Sequence, residues 1–214
     1  LVIDARPPNF FHRRAPYSTL ATVGRISEVD MSPATLGSRS SVPAEPHGLG
    51  VDFQDGYYQL RFRLMAAWFG IDIRVRASDF GVSEVYNDDT RLFERVEPSD
   101  MLWPVFEGLA MGWSWALFLC HSCLTRAMID SALIFNPAIS LDEAHEQLVR
   151  DHAVGAFFGP RRPLLAPYVD NGNAIAWNLS EAREFFEILV RVLSTRGFLL
   201  KDLVDGEPVF DMVG

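Results

Sequence analysis

Cysteine is nearly absent, with two among 214 residues. That excludes the disulfide framework of a small secreted domain and favours an intracellular setting. Cys120 and Cys123 stand at Cys-x-x-Cys spacing, but no second pair completes a zinc site and residues 115–128 read as helix. Both are expected as buried free thiols. Positive charge is also short: 19 Lys and Arg face 28 Asp and Glu, for a net charge of −9. Bulk attraction to a phosphate backbone is thereby excluded, because neutralising phosphates takes a surplus of cations. The cations that exist fall in local pairs, at Arg13 and Arg14, Arg61 and Arg63, Arg74 and Arg76, and Arg161 and Arg162. The most apolar run, 109–120, is too short to cross a bilayer and is interrupted by Gly and Ser. No basic segment with a following apolar stretch and cleavage site opens the chain, so no membrane association is expected. No repeat occurs at solenoid spacing. The first residue is not Met and lies in a strand-like run, so the chain is expected to be a piece of a longer protein.

What is present is apolar substance: 49% of the residues are hydrophobic, enough for a substantial core in one domain or two tightly joined subdomains. Residues 27–50 are the exception, a cluster of Ser, Pro and Gly that reads as a surface loop or insertion. Residues 1–5 form a short β-prone run ended by Pro7 and Pro8, which lack the amide donors of a central strand. Residues 49–53 read as a second strand. Residues 71–75 alternate apolar and charged, as a strand with one wet face should. Residues 85–95 are polar, with a hairpin turn placed at Asp88 and Asp89. The stretch 115–135 is apolar on nearly every face and predicts a buried central helix. Ser140 and Glu143 form a capping-box sequence that opens a helix running to about His152. Residues 164–169 and 174–177 read as strands joined through Asp170-Asn171-Gly172-Asn173, where Asn-Gly is a strong hairpin signal. A helix over 181–196 follows, with Phe185, Leu189, Val192 and Leu193 on one stripe and Gly197 beyond its end. Residues 198–204 and 208–213 close the chain as a hairpin around Asp205-Gly206. Strands interleaved with helices in this order predict an α+β fold.

Two acids carry the chemistry. Asp52 in Val51-Asp52-Phe53-Gln54-Asp55-Gly56-Tyr57, and Asp170 in Tyr168-Val169-Asp170-Asn171, each stand among apolar, strand-forming residues. A strand that gives such a position to a carboxylate usually needs it for metal or proton chemistry, and hard oxygen ligands suit Mg²⁺. In order and surroundings the two segments resemble the first catalytic motif and the Tyr-x-Asp-Asp motif of reverse transcriptases. The resemblance implies a polymerase palm, an antiparallel sheet backed by helices, with part of a fingers subdomain and with the thumb absent from residues 1–214. It implies RNA-directed DNA synthesis by a two-metal mechanism with Mg²⁺ or Mn²⁺. The implied partners are an RNA or DNA template with its primer and deoxynucleoside triphosphates. Thumb, RNase H or integrase segments would flank the domain in a full-length retroelement-type protein.

Residue by residue, the resemblance makes Asp52 and Asp170 catalytic metal ligands. Leu1-Val2-Ile3-Asp4-Ala5-Arg6-Pro7-Pro8-Asn9 is similar to a fingers motif, assigning Asp4, Arg6 and Asn9 to template and fingers backbone. Tyr57, five residues after Asp52, falls where reverse transcriptases carry an aromatic gate against a 2′-OH, which implies deoxynucleotide selection. Gly108-Leu109-Ala110-Met111-Gly112-Trp113-Ser114 resembles the motif that cradles the incoming base, which assigns Met111 and Gly112 to nucleotide binding; Ala110 departs from the usual Pro. Arg196-Gly197-Phe198-Leu199-Leu200-Lys201 resembles the motif whose Lys lies near the triphosphate, making Lys201 the general acid toward pyrophosphate. Residues 210–214 look like the start of a primer-grip hairpin. The sharpest departure is Asn171, where the family carries a second Asp: an amide ligates through oxygen but brings no charge, so metal affinity and rate should fall. Two further readings stand beside this one. The chain is an inactive relic of that fold with at most nucleic-acid binding, or it is a non-enzymatic α+β interaction domain whose aromatics are simply core.

Overall fold

The computed structural model describes residues 6–62, 69–87, 89–153 and 155–208. The expected strand over 1–5 with Asp4, the Arg63 member of one Arg pair, Asp88 of the expected turn, and residues 209–214 with the expected primer-grip start lie outside the described residues. In chain order the helices are α1 (Val23–Ser27), α2 (Pro33–Arg39), α3 (Gly56–Gln59), α4 (Ser114–Phe135), α5 (Leu141–Glu146) and α6 (Leu179–Thr195). The strands are β1 (His47–Phe53), β2 (Val75–Arg76), β3 (Glu84–Asn87), β4 (Leu92–Arg95), β5 (Met101–Leu102), β6 (Leu164–Tyr168), β7 (Asn171–Ala176) and β8 (Leu200–Glu207).

Four strands form an antiparallel sheet in the order β6-β7-β1-β8. With α4 between β1 and β6 and α6 between β7 and β8, the frame is a β-α-β-β-α-β unit, so the fold is α+β. Alternation along β1 decides its two faces. Leu49, Val51 and Phe53 are buried and enter a core with Leu124 and Met128 of α4 and Phe185 and Leu189 of α6. Gly48, Gly50 and Asp52 therefore point to the opposite face. Helix α4 is long and apolar enough by composition to cross a bilayer, at 22 residues. Here ten of its residues are buried, and it packs against α5, α6 and the sheet as a core helix.

The opposite face carries a second, smaller core at one end. There Leu164, Ala166 and Trp177 meet Ala21, Val29 and Phe158, with Met31 and Leu36 half-buried beside them. Residues 27–50, read as a surface loop or insertion, do lie at the surface up to residue 46, but they are not irregular throughout: they contain α2, place Val29, Met31 and Leu36 against a second core, and lead into β1. Ser32 caps α2 by accepting from the Thr35 amide. Asp30 organises the same turn, and the Thr35 hydroxyl and Ser32 amide hold its carboxyl down at about 2.

Four other expectations are corrected by tertiary contacts. Residues 71–75 do not form a strand; Ile73 N donates to Ile71 O at 2.7 Å, a three-residue turn that breaks extension, and only Val75–Arg76 pairs, with β5. Helix α5 opens on the capping box as expected but stops at Glu146, because Leu148 makes a parallel bridge to Leu165 of β6. The turn joining β6 to β7 is Val169-Asp170, not Asn171-Gly172, which lie inside β7. Gly172 serves close packing: a Cβ there would stand 3.0 Å from Leu124 Cδ1 and 3.2 Å from Val51 Cγ2. Finally, Asp205-Gly206 is no hairpin turn. β8 runs through it, and the register against β1 slips twice, at bulges holding Gly206 (φ 73°) and Asp202 (φ 48°). The helices at 115–135 and 181–196, the β3-β4 hairpin around residue 89, and the unbridged cysteines match the sequence reading; Cys123 is half-buried rather than buried.

Candidate active site at the acidic end of the sheet

Because β1 is an interior strand, Asp52 has a partner on each side: Asn171 of β7 and Lys201 of β8. The Asp202 bulge is what sets Lys201 opposite Asp52. The turn residue Asp170 is drawn to the same place, since the Phe53 amide donates to the Asp170 carbonyl at 3.1 Å. Two acids separated by more than a hundred residues thus meet at one sheet end. That turn is strained: Val169 is β-branched, 7% exposed, and held at φ 57°, a conformation such residues rarely adopt.

The electrostatics treat these groups as one cluster. Burial pushes the Asp170 carboxyl up from its ordinary value and the Asp52 charge adds to this, while its own amide and Lys201 oppose it. Lys201, the one lysine in the chain, places Nζ 3.3 Å from Asp52 Oδ2 and 3.7 Å from Asp202 Oδ2. Its pKa is raised, first by the hydrogen bond to Asp52. Asn171 does not stand free toward the acids: its Oδ1 accepts from Asn173 Nδ2 at 2.8 Å.

Tyr57 begins just beyond Asp52, in α3, half-buried between the two core regions. Burial, then the neighbouring Cys120 and Asp170, push its phenol up to about 12. It lines an open cleft of about 1130 Å³ together with Arg6, Asn9, Arg14, Gly112 and Tyr168. The two acids border this cleft through Tyr57 and Tyr168 and are not in its wall. Asn9 spans the entry to α4, donating from Nδ2 to Gly112 O at 2.8 Å and accepting from Ser114 N at 2.8 Å. Gly112 sits at φ 89°, where a side chain would be strained. Of the residues assigned from sequence, Asp52, Asp170, Asn171 and Lys201 are brought together, and Arg6, Asn9, Tyr57 and Gly112 share the cleft. Met111 is 56% exposed and is not among the residues walling it.

Three participants carried little sequence signal. Gly56 is packed against Asp170 so closely that a Cβ would fall 2.6 Å from Asp170 Cβ and Oδ2. Gln59 accepts from Leu199 N at 2.6 Å and donates to Leu199 O at 2.9 Å, fixing the approach to Lys201 from α3. Cys120 lies beneath the acids, and burial followed by the Asp170 charge pushes its thiol up to about 12, leaving it inert. A glycine, an amide and a helical cysteine are all common in cores; only the isolated lysine among so many arginines is a visible signal, and it marks Lys201.

The donor set offers hard oxygens only: two carboxylates and one amide, which suit Mg²⁺ or Mn²⁺. Among the described residues no group of three or more His, Cys, Asp and Glu converges on a point. Two carboxylates match the charge of one divalent ion, and Lys201 competes for one of them. No protein-family model and no curated protein matches this chain.

Proposed function

We propose that the chain is the fingers-palm portion of an RNA-directed DNA polymerase, performing template-directed nucleotidyl transfer. The observation that carries this is the meeting of Asp52 and Asp170 at one end of an antiparallel β-α-β-β-α-β sheet, beside a cleft that contains Tyr57. Asp52 and Asp170 would hold Mg²⁺, with Asn171 as a weak neutral ligand. The bound ion supplies charge neutralisation at the phosphates and lowers the pKa of the attacking hydroxyl. The chain's own residues do the rest. Tyr57 closes the space beside the sugar and excludes a 2′-OH, Arg6 and Asn9 shape the template side, and Gly112 allows close backbone approach to a base. Lys201, kept protonated by Asp52, gives its proton to the departing pyrophosphate.

Primer extension on an RNA template with Mg²⁺ or Mn²⁺ tests this. Incorporation of deoxynucleotides that is abolished by Asp52→Asn supports it. Asn171→Asp restores a second charge and should raise the rate. The inactive relic is a second reading with its own observations: the Asn171 oxygen is engaged by Asn173, and Asp52 is ion-paired to Lys201. No incorporation by the wild-type chain or by Asn171→Asp, with both folded, decides for the relic.

A further inference from the structure

The charges at the acidic end of the sheet do not add up to a two-ion centre. Two divalent ions bring four positive charges, whereas Asp52 and Asp170 bring two negative ones. Asn171 adds none, and its Oδ1 already accepts from Asn173 Nδ2 at 2.8 Å. Lys201 then returns one positive charge, with Nζ 3.3 Å from Asp52 Oδ2 and 3.7 Å from Asp202 Oδ2. The backbone puts it there: β8 pairs Lys201 directly with Asp52, through a bulge at which Asp202, not a glycine, takes φ 48°. With 22% of its side chain exposed, Asp52 is only partly hydrated and holds this cation more strongly than a surface carboxylate would.

We infer, resting on the reading of Asp52 and Asp170 as metal ligands, that the site takes a single divalent ion and that the Lys201 ammonium, held by Asp52 and Asp202, is its second cation. Asp52 then bridges two cations as a shared carboxylate does in a two-ion centre, one oxygen engaged by Nζ and the other left for the ion. A tethered ammonium brings one charge where a second ion would bring two, and it needs no third carboxylate to hold it. Asn171 and Lys201 therefore compensate each other: the amide removes the anion that would have held a second ion, and the chain's one lysine supplies a cation without it. At the departing pyrophosphate the ammonium neutralises charge before its proton follows.

Mn²⁺ titration of the purified chain followed by electron paramagnetic resonance counts the ions, and dipolar coupling reports whether two lie side by side. Circular dichroism checks that each variant is folded. The wild type should bind one Mn²⁺ tightly, with no coupled pair. Lys201→Met, or Lys201→Gln if the first does not fold, should raise Mn²⁺ affinity about tenfold, because a fixed positive charge beside the ion is gone. Lys201→Arg keeps the charge and should stay near the wild type. Asn171→Asp should bind its one ion more tightly, still without a coupled pair, and the pair should form only when Asn171→Asp is combined with the neutral substitution of Lys201. A coupled pair in the wild type or in Asn171→Asp alone would overturn the proposal while leaving Asp52 and Asp170 as metal ligands. So would an affinity unmoved by the neutral substitution, an equal rise in Lys201→Arg, or a single ion in the double variant. Absence of Mn²⁺ binding from all of them would overturn the metal site itself, and this proposal with it.

Discussion

Gly56→Ala separates the architecture of the acidic site from the stability of the fold. The backbone at Gly56 is not in the left-handed region, so alanine is conformationally permitted there, and the nearest obstacle to its side chain is Asp170. Its Cβ would meet Asp170 Cβ and Oδ2 at 2.6 Å, and ordinary contact begins at 3.4 Å. The aspartate must therefore recede by about 0.8 Å. Rotation of the carboxylate relieves the oxygen but not Cβ, which moves only with the turn. That turn is pinned by the Phe53-to-Asp170 hydrogen bond and by Val169 at φ 57°. Overpacking of this kind costs about 1–3 kcal/mol, and replacing glycine returns about 0.4–1 kcal/mol through the unfolded chain, for a net loss of at most about 2.6 kcal/mol. Metal ligation tolerates only about 0.2 Å of misplacement, and a 1 Å error in a catalytic group is worth about 100-fold in rate. Urea unfolding and Mn²⁺ titration followed by electron paramagnetic resonance should thus show a modest midpoint shift with Mn²⁺ affinity reduced at least about tenfold. Gly159→Ala is the control, because its Cβ would meet a remote ring, Phe157, at 3.0 Å. Unchanged Mn²⁺ affinity in Gly56→Ala, or equal loss in the control, would refute the role given to Gly56.

Asp170→Asn should remove a pH dependence. Because the folded-state pKa is raised, the stability Asp170 contributes is full below its unfolded pKa and is lost as pH rises through the folded value, so across that window the wild-type urea midpoint should fall relative to the variant's, which keeps the slopes of Glu143, Glu181 and Glu184 common to both. Mn²⁺ should restore stability above that window in the wild type only. Asn9→Ala should cost about 1–2 kcal/mol through two hydrogen bonds at the start of α4; Asn9→Asp, able to accept from Ser114 but not to donate to Gly112, should lie between, as read by thermal unfolding. Tyr57→Ala should narrow the preference for deoxynucleotides over ribonucleotides by about 10–100-fold in competitive primer extension, and an unchanged ratio would remove the tyrosine from sugar selection.

The acids were legible because a carboxylate in a β-prone run breaks an expected pattern, and the pattern itself is local. What was not legible depended on contacts distant in sequence. Asn171-Gly172 has the composition of a turn, yet Gly172 is needed where Leu124 and Val51 approach the sheet, and the turn moves back to Val169-Asp170 despite the strain on a β-branched residue. The capping box at Ser140 placed the start of α5 correctly, while its end was set by pairing of Leu148 with Leu165. The bulge at Asp202 has no glycine to announce it, and Asp205-Gly206 announces a turn where the strand only bulges.

The placement of Asp52 is inseparable from the core on the other side of its strand. Side chains alternate, so the burial of Leu49, Val51 and Phe53 against α4 and α6 is what sends Asp52 outward. A slip of one residue would turn Asp52 toward Leu124 and Met128, where an unpaired carboxylate costs several kcal/mol, and would expose three large apolar side chains at once. The same slip would separate Asp52 from Lys201, its cationic partner across β8. Register, core and acidic cluster therefore select one another: no alternative pairing of β1 keeps both its apolar face buried and its carboxylate beside Asp170.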